Sequence, residues 1–159
     1  LVVSNKENAP VLEMARSNHV PTLVINRDQL YHSENILKKL SIYNIDFIVL
    51  AGFLLLVPKY LTRKFHNRIV NIHPALLPKY GGKGMYGMNV HKAVKAANEK
   101  ESGITIHYVN ENYDEGQILF QESCPITPED SPETIAYKVL QLEHQHYPKV
   151  IENILTQDA

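Results

Sequence analysis

Cysteine is nearly absent from this chain: Cys124 stands alone among 159 residues. One thiol can neither close an internal disulfide nor assemble a thiolate metal site. That fits a reducing compartment, and a cytoplasmic location is expected. An excess of one charge is lacking as well. The 16 basic and 17 acidic residues leave a formal net charge of -1, which provides no electrostatic footprint for nucleic acid and no basic face for a membrane. No apolar run approaches the roughly 20 residues that span a bilayer. Nor does the chain open on methionine: Leu1-Val2-Val3-Ser4 reads as a strand already under way, and a segment upstream of Leu1 is expected. What is present, 44% apolar and 21% charged residues, suits a globular domain with a substantial core. One domain over residues 1–159, short of its N-terminal segment, is expected.

Strand-like and helix-like segments alternate, which predicts an α/β fold with a mainly parallel sheet and helices on both faces. Leu1 to Val3 and Thr22 to Ile25 read as short strands. Ala9 to Asn18 reads as a helix with Pro10 near its first turn and Val11, Met14 and Ala15 on one face. Ser33 to Tyr43 repeats apolar residues at helical spacing. Phe47 to Ala51 is continuously apolar, as for a strand buried on both faces. Gly52 ends it, and Phe53 to Val57 forms an unusually apolar loop before a short helix at Pro58 to Phe65. Ile69 to Ile72, Ile104 to Val109 and Ile118 to Cys124 read as strands, and Asn89 to Ala97 as a helix. Ser131-Pro132-Glu133 opens a long last helix, with Ile135, Val139, Leu142 and Tyr147 inward and a kink or interruption expected at Pro148. The loop from Pro78 to Met88 holds Gly81, Gly82, Gly84 and Gly87.

The segment Val70-Asn71-Ile72-His73-Pro74 places an amide and an imidazole two residues apart at a strand end. Side chains two apart on a strand point to the same side. An amide donor beside a titratable ring suits a reaction that develops an oxyanion and moves a proton. Asp114, in the loop Asn110-Glu111-Asn112-Tyr113-Asp114-Glu115-Gly116, is a candidate third partner. The apolar loop after Gly52 is a candidate ligand slot, because ligands of parallel α/β sheets bind beyond the carboxyl ends of strands.

Asn71-Ile72-His73-Pro74-Ala75-Leu76-Leu77-Pro78, with Asp114-Glu115-Gly116 downstream, resembles the folate-dependent formyltransferases. Ala51-Gly52-Phe53, Glu143-His144 and Tyr147-Pro148 add to the likeness, which covers nearly the whole chain. The run from His73 to Tyr80 points to the members acting on glycinamide ribonucleotide. The resemblance implies a Rossmann-like fold and formyl transfer from 10-formyltetrahydrofolate to that amine, with small-molecule partners and no metal. It implies catalysis by Asn71, His73 and Asp114. Folate binding would fall to Phe53, Leu54, Leu55, Leu56 and Val57, with Asn110, Glu111, Asn112 and Tyr113. Pro74 and Glu143 would meet the ribonucleotide. The family's first strand and its glycine-rich phosphate loop are not found in the sequence, and both are expected upstream of Leu1.

Blander readings compete. Asn71 and His73 alone would be ordinary strand-end polar groups, Asp114 a turn residue and Glu143 a solvated helix position. His91 and His107 are candidates to line the cleft, but each reads first as structural. His144 and His146, two apart on a helix, do not share a face and make no metal pair. The rival activities are 10-formyltetrahydrofolate hydrolysis on the same scaffold, formylation of methionyl-tRNA, which the charge balance does not support, and non-catalytic folate binding.

Overall fold

The computed structural model describes residues 1–157. Its elements run β1 (Val2–Ser4), α1 (Pro10–Ser17), β2 (Thr22–Val24), α2 (Arg27–His32), α3 (Asn35–Ile42), β3 (Ile48–Leu50), α4 (Lys59–Lys64), β4 (Ile69–His73), α5 (Met88–Ala96), β5 (Glu101–Tyr108), β6 (Ile118–Pro125) and α6 (Pro132–Gln157). The α/β alternation expected from the sequence is present. Strands β1 and β2 pair in parallel, as do β3 and β4. Strands β5 and β6 then join the second sheet antiparallel, in the order β3-β4-β5-β6. Antiparallel neighbours need no crossover, so the short loop after Tyr108 suffices to link β5 to β6.

Burial along β4 shows how the sheet is covered. Ile69 packs with Leu30, Ile36, Leu40, Leu61 and Phe65, from α2, α3, α4 and its C-cap. Its neighbour Val70 packs with Ile106 and Tyr147, the latter from α6. Consecutive strand residues point to opposite faces, so helices cover both sides of this sheet. The Tyr147 hydroxyl donates to the Leu50 carbonyl at 2.8 Å, with the Val70 carbonyl at 3.3 Å, pinning α6 across β3 and β4.

Several local expectations are corrected. The inner face of α1 is Leu12 and Ala15, whereas Val11 and Met14 are 47% and 67% exposed. Both sets have helical spacing, and only the docking of α1 on β1 and β2 selects between them. Strand β3 is not buried on both faces: Val49 is 43% exposed. A helix the sequence reading lacked, α2, is opened by a capping box, in which the Asn26 side chain accepts from Gln29 N–H and the Gln29 side chain accepts from Asn26 N–H. Helix α6 runs through Pro148 without interruption. Pro148 lies on the exposed side, where water can satisfy the carbonyl its ring leaves unpaired. Among the described residues, no helix is long and apolar enough to cross a membrane.

Candidate functional site

Strand β4 pairs Asn71 with His107 and His73 with Thr105 on β5. Paired residues of an antiparallel ladder share a face. Asn71, His73, Thr105 and His107 therefore form one polar patch on that face of the sheet. The predicted sharing of a face by Asn71 and His73 is present, and β5 doubles it.

Each member of the patch is held differently. Thr105 is used up structurally. Its hydroxyl donates to the Ala75 carbonyl at 2.7 Å and accepts from Leu77 N–H and the Gln121 side chain at 2.9 and 2.8 Å. Gln121 also donates to the Leu77 carbonyl, so the turn after His73 is bolted to β5 and β6. His73 is only 4% exposed. Its Nε2 lies 2.8 Å from the Tyr80 carbonyl. A carbonyl only accepts, so Nε2 carries a proton. The other nitrogen, Nδ1, lies 3.6 Å from Asp114 Oδ2.

Asp114 reaches the patch from the loop between β5 and β6. Its φ of +55° is left-handed, a conformation that aspartate tolerates better than most side chains. Oδ2 accepts from Gly82 N–H at 2.9 Å, and Oδ1 lies 3.6 Å from His107 Nε2. Gly116 makes this approach possible, since a side chain there would strike the Tyr108 carbonyl. The single carboxylate thus faces two imidazoles.

The electrostatics follow from that geometry. Burial pushes the His73 pKa below its ordinary value, against the pull of Asp114 and the Tyr80 carbonyl, while His107 adds to the lowering. Burial pushes Asp114 up, but the nearby His107 ring, the Gly82 amide and the charge on His73 outweigh it and hold it below the usual carboxylate range. His91, on α5, is lowered by burial and then by His73. Its Nδ1 is buried without a partner among the described residues.

Residues Phe53 to Val57 lie in the loop after β3, whose last residue, Leu50, pairs with Asn71. Among the described residues no backbone–backbone hydrogen bond engages 53–57. Only the Leu56 carbonyl is occupied, by the Tyr31 hydroxyl at 2.6 Å. Leu54 is exposed, Val57 is core, and Phe53, Leu55 and Leu56 are half-buried. Glu111 ties the facing loop down, pairing with Lys59 at 3.1 Å and Arg63 at 3.4 Å. Asn110 forms a side-chain turn onto Asn112 N–H, and Asn112 bonds Glu115. Tyr113 lies near enough to Tyr31 to raise its pKa, after burial. The two loops named from sequence therefore stand side by side, with backbone polar groups free for a flat heterocycle with polar edges. Pro74 is half-buried directly after His73. Glu143 lies one helical turn before Tyr147, half-buried, with its pKa raised by burial.

Sequence reading ranked His107 as structural first, and missed the Tyr80 carbonyl and the Gly82 amide. His107 had a weak signal, as a polar residue alternating with Thr105 inside a buried strand. The other two act through backbone atoms and leave no trace in residue identity. Two cavities, of about 560 and 260 Å³, are lined by neither Asn71, His73 nor Asp114. Two imidazoles around one carboxylate, not a cavity, mark the site.

Residues 1–151 match the family described as formyl transferase. The chain is 46% identical to a chloroplastic phosphoribosylglycinamide formyltransferase of Arabidopsis thaliana, over 95% of this chain and 53% of that protein. It is 34% identical to the phosphoribosylglycinamide formyltransferase of Bacillus subtilis, over 98% of this chain and 79% of that one. A solved phosphoribosylglycinamide formyltransferase from Anaplasma phagocytophilum superposes with a TM-score of 0.87 at 35% identity, covering 98% of this chain and 72% of the other. The chain thus spans about half the length of its plant relative.

Proposed function

The chain belongs to the formyl transferase family, and on that footing we propose that it moves a formyl group from 10-formyltetrahydrofolate to the primary amine of glycinamide ribonucleotide, a step of purine synthesis. The names of the matched relatives support the acceptor. The convergence of Asn71, His73 and Asp114 carries the chemistry.

The amine nitrogen attacks the formyl carbon, and the carbonyl pair moves onto oxygen. The tetrahedral species then collapses, breaking the bond to the folate nitrogen. The amine loses one proton and the folate nitrogen gains one. Asn71 donates a side-chain N–H to the developing oxyanion. A second proton on His73, at Nδ1, is shared with Asp114, and the positive ring stabilises the same charge. Asp114 opposes the desolvation of that ring and keeps the proton available for relay to the leaving nitrogen. Placement and charge lower the barrier, and no step uses a covalent enzyme intermediate or a metal.

The residues around the cleft fit the co-substrate. The unengaged backbone of Phe53 to Val57 and the loop Asn110 to Tyr113 hold the pterin, with Glu111 fixing the second wall. Pro74 packs against the ribonucleotide, and Glu143 accepts from its ribose hydroxyls. The lone cysteine fits a reducing compartment, cytosol or plastid stroma alike.

The test is tetrahydrofolate release by the natural protein that carries this chain, with and without glycinamide ribonucleotide. Release that depends on the ribonucleotide is expected. Formate release indifferent to it identifies a hydrolase and overturns the assignment. His73→Ala is expected to abolish turnover while calorimetry with a folate analogue stays within a few-fold of the parent.

A further inference from the structure

His107 is only 2% exposed, yet it lies beside two of the three catalytic candidates, Asn71 and Asp114. Its Nδ1 lies 2.9 Å from the carbonyl of Tyr108, and its Nε2 lies 3.3 Å from Asn71 Nδ2 and 3.6 Å from Asp114 Oδ1. The β5–β6 register slips between Ile106 and His107, where Ile106 pairs with Phe120 but His107 with Ile118. Such bulges re-aim side chains and occur beside active sites. Gly116 packs against the same Tyr108 carbonyl, so the anchor of Nδ1 is itself held from behind.

On the reading that this cleft transfers a formyl group, we propose that His107 is a positioning residue that fixes which end of the Asn71 amide meets the formyl oxygen. The Tyr108 carbonyl only accepts, so Nδ1 holds the ring proton. In the neutral ring Nε2 is then a bare acceptor. Asp114 has no proton to offer it, and the Asn71 N–H does. The bond turns Nδ2 of Asn71 toward the ring and leaves its second N–H for the oxyanion, in the plane the bond defines. Without His107 the amide can turn over and present its oxygen to the same charge, replacing attraction with repulsion. The two histidines divide the work: each ties one nitrogen to a backbone carbonyl and turns the other toward Asp114, but only His107 has an alternative partner there in Asn71. The proton relay is therefore assigned to His73, and His107 to holding the Asn71 amide.

Two measurements test this. Nitrogen-15 shifts of the His107 ring at pH 7.5, read in the unmodified protein, should report a neutral imidazole protonated at Nδ1. A neutral ring protonated at Nε2, or an imidazolium, overturns the proposal whatever the enzyme's activity. A double-mutant cycle then tests the coupling. His107→Asn, which keeps a donor near Tyr108 but none of the Nε2 function, should lower kcat about 10–100-fold, the scale of a misplaced catalytic group, with KM for the folate little changed. His107→Gln, whose longer amide can accept from Asn71, should recover most of the loss. In the Asn71→Ala background His107→Asn should cost less than about 2-fold more. Additive losses, or equal losses for the Asn and Gln variants, show that His107 does not act through Asn71. If the parent transfers no formyl group at all, the assigned reaction fails, while the ring shifts still decide the tautomer.

Discussion

Asp114→Asn is the substitution that separates charge from shape in this site. Asparagine has nearly the same volume and its side-chain oxygen can still accept from Gly82 N–H. What disappears is the negative charge 3.6 Å from His73 Nδ1. At that distance, with an effective dielectric near 20, the charge interaction is roughly 4–5 kcal/mol before the desolvation of both groups is subtracted. Opposite charges this close shift a pKa by about 1–3 units in practice. Burial already holds the His73 pKa below its ordinary value with Asp114 present. Removing Asp114 lowers it further, so at neutral pH the protonated fraction falls by about 10–1000-fold. If the imidazolium is the active form, kcat falls by the same factor, and the pH at which the rate begins to drop moves to lower pH. The assay is kcat against pH for both proteins at saturating folate and ribonucleotide, with folate affinity measured by calorimetry as a control on folding. A variant that keeps kcat within about 3-fold, or loses activity without moving its profile, would falsify the role given to Asp114.

Other outcomes follow from single contacts. Gly116→Ala should lower the denaturation midpoint by the equivalent of about 2 kcal/mol or more, because its Cβ meets the Tyr108 carbonyl; an unchanged midpoint means that the loop is free to move. Tyr147→Phe should cost about 1–3 kcal/mol in urea unfolding, since it leaves the Leu50 carbonyl without its hydroxyl partner. Stability should fall on mild acidification. The pKa values of His73 and His91 are lowered in the fold from 6.5, so below that pH the unfolded chain takes up protons first. Asp114, also lowered, extends the loss to still lower pH, whereas Glu143, raised by burial, acts in the opposite direction just above 4.5. Unfolding free energy that is flat or rising from pH 6.5 to 5.5 would contradict the burial of both histidines, and His91→Asn should remove part of the slope.

The sequence alone determined the alternation of strands and helices, because periodicity is a local property. It placed Asn71 and His73 on one side of a strand, since the two-residue repeat of the pleat requires nothing beyond the strand itself. It marked the proline start of α6 and the serine that caps it, where Ser131 Oγ accepts from Thr134 N–H. Tertiary structure decided what local pattern leaves degenerate. Leu12 and Val11 both fit a helical stripe, and only docking against β1 and β2 buried the first. His107 became a neighbour of Asn71 through antiparallel pairing between strands 36 residues apart in sequence. Asp114 met His73 because Gly116 lets its loop press onto Tyr108, and because a backbone amide from Gly82 holds the carboxylate in place. The composition of the polar cluster was written in side chains, but its proton-holding geometry depends on the carbonyls of Tyr80 and Tyr108. Backbone groups are the same in every residue, so their roles emerge only when the chain is folded.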